Sequence, residues 1–276
     1  MRSVLLAALA ITAFAANSLA ARAGLADGSS DPVAFGLVRL VAGVAVLLPV
    51  LRTRPGLADL PGGLALAIYV LGFSLAYTQI ETAAGALILF TSVQITVLAY
   101  SILRKERIGT LAFAGSAVAL GGLYLLLASG LGTLNLAPLA GMIIAGIAWG
   151  GYTIRGRGST APLQQTGRQF VIALVVCLPA LLLVEAPFSG SALTMDAALW
   201  AAASGAVFSG LGYAVWYSVT PRLSAATTAS VQLATPAMAA FMGAIILSEA
   251  LTMQLILAAT VILVGVALTL IKPKSG

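Results

Sequence analysis

Apolar residues fill this chain in long blocks separated by short runs of polar, charged, glycine and proline residues. The blocks are Arg2 to Ala21, Pro32 to Leu51, Leu60 to Thr78, Thr82 to Leu103 and Ile108 to Ala128, then Leu136 to Ile154, Gln164 to Val184, Met195 to Val219, Ala225 to Leu247 and Leu251 to Ile271. Each is close to the roughly 20 residues of helix that cross a hydrocarbon layer about 30 Å thick. The stretches between them carry turn chemistry, as in Asp27 to Asp31, Arg54-Pro55-Gly56, Gly130 to Asn135, Gly156 to Pro162 and Ala186 to Ser191, and none is long enough for a soluble domain. The pattern predicts an all-α polytopic membrane protein with ten transmembrane helices.

Composition agrees with that architecture. Apolar residues make up 61% of the 276 positions and charged residues 8%, against roughly a quarter charged in a soluble domain, so a wetted surface could not be built. Cys177 is a lone cysteine inside an apolar run, and there is no histidine. That removes disulfides and the commonest general base and metal ligand.

The formal net charge of +6 is informative through its distribution. Ten alternating helices place Arg2, Arg52, Arg54, Arg104, Lys105, Arg107, Arg155, Arg157, Arg222, Lys272 and Lys274 on one side and only Arg22 on the other, with Arg39 and Arg168 inside spans. This is the asymmetry of the positive-inside rule, with N- and C-termini both cytoplasmic, and it explains the basic charge without nucleic acid as a partner. Arg2 and Ser18-Leu19-Ala20 also fit a cleaved signal peptide. Removing the first helix would spoil the charge asymmetry, so it is read as part of the bundle.

The sequence also matches itself. Pro32 and Pro49 bracket one block, and Pro162 and Pro179 bracket another 130 residues later at the same separation. Phe14-Ala15-Ala16-Asn17 before Arg22 lines up with Trp149-Gly150-Gly151-Tyr152 before Arg157, and Glu106-Arg107-Ile108 lines up with Glu249-Ala250-Leu251. These offsets lay residues 135–276 over residues 1–134, five helices on five. Five is odd, so the second repeat is inverted in the membrane, an arrangement found in carriers with a central site opened alternately to either face.

On the 5+5 layout, Phe14 to Asn17, Arg39 in helix 2, the run Ala83 to Val97 ending in Arg104-Lys105-Glu106, and its counterpart Ala225 to Ile246 with Pro236 and a closing Ser248-Glu249, the chain resembles EamA-type carriers of the drug/metabolite transporter (DMT) superfamily over essentially its whole length. Within that superfamily it looks most like the YddG-type exporters of aromatic and other neutral amino acids. It departs from the family pattern in Phe14, where helix 1 often has Trp, and in Val93, where the first repeat often has Pro. The resemblance implies a bacterial inner (plasma) membrane carrier, working on a small-molecule substrate as a monomer or weak homodimer, with no cofactor.

Polar side chains inside spans must pair or line a wet cavity, which makes them the first functional candidates. The expected substrate-binding set is Asn17, Tyr69, Tyr77, Phe90, Gln94, Trp149, Tyr213 and Gln232, with Pro236 as a kink or gate in helix 9. Uncharged donors and acceptors suit a neutral or zwitterionic solute, and the rings suit an aromatic one. Competing readings stand beside these. Tyr100, Trp216 and Tyr217 fall near cytoplasmic helix ends, where aromatic belts form. The amides also serve as contacts between helices, and Gly205 with Ser209 and Gly146 with Gly150 as close-packing pairs. Arg39 either snorkels to the interface or fixes a carboxylate, and Arg168 snorkels. Glu81, Glu106 and Glu249 sit at helix ends, which leaves no buried proton carrier and favours facilitated diffusion or exchange.

Three classes follow. The first is an exporter of neutral and aromatic amino acids, or a carrier of another small metabolite or drug. The second is an intramembrane enzyme, for which no nucleophile with its base, carboxylate pair or metal cluster is present in the spans. The third is a structural or sensory membrane protein, which would lack an effector domain.

Overall fold

The computed structural model describes residues 2–105, 110–128, 136–156, 159–184, 192–219, 232 and 234–270. Among these residues there is no strand. The helices are α1 (Arg2–Leu25), α2 (Pro32–Leu47), α3 (Leu60–Tyr77), α4 (Thr82–Leu103), α5 (Thr110–Ala128), α6 (Leu136–Gly156), α7 (Pro162–Cys177), α8 (Met195–Val219), α9 (Ala234–Ile246) and α10 (Met253–Leu270). Each coincides with one of the apolar blocks. Residues 108–109, 225–231, 233 and 271 of the expected spans lie outside the described residues.

Local chemistry sets the ends. Pro32 and Pro162 open α2 and α7, where a missing N–H costs nothing and φ is already helical. The Asp31 carboxylate caps α2 by accepting from the backbone N–H of Val33 at 2.8 Å and of Ala34 at 2.9 Å. Pro49 and Pro179 tighten the other ends of the same two helices into 3-10 turns, Leu48–Val50 and Leu178–Leu183. The first helix runs one turn past the expected Ala21, so Arg22 lies on the helix itself.

Seven segments are long and apolar enough to cross a membrane: Leu5–Leu25, Pro32–Val50, Leu57–Tyr77, Thr82–Leu103, Leu136–Gly156, Pro162–Leu182 and Met195–Val219. Ala234–Ile246, Met253–Gly265 and Phe113–Gly122 are shorter apolar helical stretches. The surface is apolar where a soluble protein would be charged: Leu182, Phe241, Ile245 and Val175 are exposed, while Asn17, Arg39, Gln169, Ser204, Ser209 and Gln232 are buried. That inside-out distribution suits hydrocarbon outside and a polar interior.

Helices distant in sequence pack together. α1 lies against α8 and α9, α6 against α3 and α4, α2 against α7 and α8, α3 against α7, α4 against α9, and α5 against α10. Small residues set the closest crossings. A Cβ on Gly72 of α3 would stand 2.6 Å from the Gly141 carbonyl oxygen of α6, so only glycine lets those two backbones meet. Gly146 and Gly150 do the same for α6 on α4, where added Cβ atoms would come 2.6 Å from the Leu89 carbonyl oxygen and 2.8 Å from Thr96 Cβ.

Candidate functional site

Arg39 is the eighth residue of α2, about 10 Å along the helix at 1.5 Å per residue, and it is 1% exposed. It does not snorkel. α8 lies directly on its backbone, since a Cβ on Gly205 would run into the Arg39 carbonyl oxygen and stand 2.8 Å from the carbonyl carbon. The guanidinium instead sits over two rings of α3, with its central carbon 5.0 Å from the Tyr69 centroid and 4.9 Å from that of Phe73. One terminal nitrogen, Nη2, donates to the Tyr69 hydroxyl at 3.1 Å and to Ser209 Oγ at 3.1 Å. Nε and Nη1 meet no acceptor in hydrogen-bonding geometry among the described residues, and the Tyr213 hydroxyl lies beside the guanidinium.

Ser209 reaches Arg39 because α8 is not a plain helix. Ser204–Leu211 is π-helical, a form that concentrates at functional sites. Residues five apart diverge by roughly 140° around an α-helix of 3.6 residues per turn, whereas i→i+5 bonding brings them to one face. Ser204 and Ser209 are such a pair, and both donate to Asn17 Oδ1 of α1, at 2.7 and 3.4 Å. The result is a buried chain from Arg39 through Ser209 to Asn17. Of the small pair read as packing, Gly205 is in fact the packing residue and Ser209 a link in this chain.

Next to it is a box of aromatic rings centred on Trp149 of α6. Trp149 stacks on Tyr152 at 5.3 Å and 16°, and leans on Tyr69 and Tyr213 at 5.0 Å each. Phe14 of α1 meets Trp149 and Tyr213 edge-on at 5.9 Å and Trp216 at 5.4 Å. The indole Nε1 donates to Gln232 Oε1 at 3.1 Å, and the Tyr152 hydroxyl donates to Thr166 Oγ1 of α7 at 3.2 Å. Tyr69 belongs to both assemblies, its hydroxyl on Arg39 and its ring on Trp149.

Five expected residues therefore converge: Asn17, Tyr69, Trp149, Tyr213 and Gln232. Tyr77 lies off to one end, its ring edge-on to Phe73 at 4.7 Å and its hydroxyl donating to the Thr82 carbonyl at 3.4 Å. Phe90 is buried in the core of α4, and Gln94 is half-buried with an Nε2 that finds no partner. Pro236 is the third described residue of α9, and residues 220–231 and 233 before it lie outside the described residues. Trp216 is buried against Phe14 and is not an interface anchor, whereas half-buried Tyr100 accepts from Arg104 Nε at 3.1 Å in an exposed setting. Sequence reasoning missed Phe73, Tyr152 and the two serines of α8 as site residues. Tyr69, Phe73 and Tyr77 recur every fourth position and so share one helix face, a signal that was available. The π-helical step leaves no such mark.

Polar contacts close the bundle at both ends. At one end Glu249, just before α10, accepts from the Thr82 backbone N–H at 3.0 Å and from Thr82 Oγ1 at 2.9 Å, capping α4, and lies 3.5 Å from Arg22 Nε. Arg22 also donates to the Tyr77 and Thr78 carbonyls at 3.2 Å each. At the other end Arg168 Nε donates to Asp59 at 2.8 Å and its Nη1 to Thr53 at 3.1 Å, so Arg168 ties α7 to the start of α3.

The fold and this buried site define a polytopic helical membrane protein with a polar and aromatic interior enclosed by helices from both halves of the chain. Residues 136–271 match the model of the EamA-like transporter family. The whole chain is 43% identical over 282 residues to the uncharacterized protein PA1977 of Pseudomonas aeruginosa, covering 96% of that protein. A crystal structure with 18% sequence identity superposes with a TM-score of 0.69 over 97% of this chain and 96% of its own, a likeness of fold alone. The second half of the chain thus carries a domain of the EamA-like transporter family, within the DMT superfamily, and that domain supports a membrane transporter of small substrates.

Proposed function

We propose that the protein is a bacterial inner-membrane carrier that exports neutral and aromatic amino acids by alternating access, as a facilitator or exchanger, with both termini in the cytoplasm. The observation that carries this reading is the Trp149 box. Five aromatic side chains (Phe14, Tyr69, Trp149, Tyr152 and Tyr213) and two amides, Asn17 and Gln232, meet in the bundle interior, away from the lipid-facing surface. Such rings supply faces and edges for an aromatic side chain, and the amides supply uncharged hydrogen bonds for a zwitterion.

Ten spans in two inverted repeats, 1–134 and 135–276, form the frame of the proposal. Exchanging each helix with the one five places on turns α3–α6 into α8–α1, α4–α6 into α9–α1 and α2–α8 into α7–α3, and returns α2–α7, α4–α9 and α5–α10 to themselves. Lys105 and Ser248 are the two non-glycine residues with positive φ among the described residues, at 55° and 54°. They stand 143 positions apart, each just before one of the matched glutamates, Glu106 and Glu249. Phe14 and Trp149, matched in the alignment of the halves, touch each other, as equivalent residues beside a two-fold axis would.

The test is uptake of labelled phenylalanine and threonine into proteoliposomes holding the purified protein, against empty liposomes, with and without an imposed pH gradient. Saturable uptake of both that ignores the gradient is expected. Absence of uptake for both would sink the amino-acid assignment and turn attention to other small metabolites or drugs.

A further inference from the structure

We infer that Arg39 is the anchor for a carboxylate of the transported solute, a site that deepens the carrier reading and rests on it. The reasoning begins with charge. Among the described residues the acidic ones, Asp27, Asp31, Asp59, Glu81, Asp196 and Glu249, all lie at helix ends or in connections, and the two ion pairs among them, Arg22 with Glu249 and Arg168 with Asp59, do not include Arg39. A fully buried guanidinium is therefore held by two ring faces and two hydroxyl oxygens and by no anion. Ring faces attract a cation but accept few of its protons, and burying a charge without a counter-ion is costly.

The unmet bonding is concentrated on one side of the problem. Arg39 Nε and Nη1 both keep donors with no acceptor in hydrogen-bonding geometry among the described residues, and the Tyr213 hydroxyl stands beside the guanidinium. An arginine fixed by packing yet short of acceptors is suited to charge-assisted bonds from a planar oxyanion. The neighbouring groups fit the rest of such a solute. Tyr69 links the guanidinium to the Trp149 box, so a carboxylate at Arg39 directs an attached ring toward Trp149 and Tyr213. The two halves also differ here, because the residue 130 positions after Arg39 is Gln169, which is buried but uncharged. The carboxylate is thus held by one repeat, with the charge off the pseudo-symmetry axis.

The experiment measures binding in detergent through thermal unfolding, using 3-phenylpropionate and its uncharged twin 3-phenylpropionamide, with chloride and phosphate as inorganic controls. Wild-type protein is expected to bind the carboxylate about tenfold or more tightly than the amide, in keeping with a charge-assisted hydrogen bond. R39Q loses that preference, and R39K retains part of it. No preference in the wild type, equal stabilisation by chloride or phosphate, or a preference that survives in R39Q each overturns the inference. The wild-type comparison stands even if R39Q does not fold. Failure of phenylalanine uptake together with Arg39-dependent carboxylate binding removes the amino-acid reading alone. Phenylalanine uptake by a protein that binds acid and amide equally removes the carboxylate site alone.

Discussion

Gly205 is where the structure makes its sharpest demand on a single residue. An alanine Cβ there would collide with the carbonyl oxygen of Arg39, come within 2.8 Å of its carbon and lie 3.0 Å from its Cα. All three are backbone atoms, so no rotamer change relieves the contact and α2 and α8 must separate. Overpacking of this kind costs about 1–3 kcal/mol, or roughly 3–9 °C in unfolding temperature at about 3 °C per kcal/mol. The separation also draws Ser209 away from the guanidinium it meets at 3.1 Å, so transport should fall further than stability alone explains. The control is Gly151→Ala, where an added Cβ finds nothing within 4 Å. Thermal unfolding of both variants in one detergent, paired with proteoliposome uptake, tests the reasoning. A Gly205→Ala protein as stable and active as the wild type, or a Gly151→Ala protein equally damaged, would refute it.

Two further outcomes are expected. Trp149→Phe keeps an aromatic ring but removes the Nε1 donor to Gln232, a net hydrogen bond worth about 1 kcal/mol. Half-saturation for uptake should rise about fivefold while Trp149→Ala is far more severe, and equal behaviour of the two variants would deny the indole N–H its part. For Glu249→Gln, loss of the charge facing Arg22 and capping α4 should lower the unfolding temperature. A double-mutant cycle with Arg22→Gln should return a coupling near the upper end of the 0.2–1 kcal/mol found for ion pairs. Additivity within about 0.3 kcal/mol would show the pair uncoupled.

The blocks of apolar residues marked the helices because in hydrocarbon each backbone group must bond within its own segment. That constraint is local, and so is the chemistry of the ends, which is why Pro32 was legible as a helix start, whereas Asp31 and Pro162, read as parts of connections, turn out to cap α2 and to open α7. The pairing of Pro32 and Pro49 with Pro162 and Pro179 was equally visible, and both second prolines close their helices with a 3-10 turn. Asn17, Tyr69, Trp149, Tyr213 and Gln232 could be nominated from their type alone, since polar and amphipathic groups are costly in lipid wherever they are not used.

What the sequence left open was which of these groups meet. The fate of Arg39 depended on α3 and α8 meeting around it, with Tyr69 and Ser209 accepting from its Nη2 and Gly205, 166 positions on, packed against its backbone. The convergence of Ser204 and Ser209 on Asn17 depended on a π-helical step in α8, and no propensity or periodicity in Ser204–Leu211 announces one. Trp216 looked like an interface residue from its distance along the chain and became part of the aromatic cluster because α1 brought Phe14 to it. Sequence determines where helices start, stop and face lipid through short-range bonding and solvation. Which side chains share the interior is decided by how the helices cross, and that is set by contacts between residues far apart in the chain.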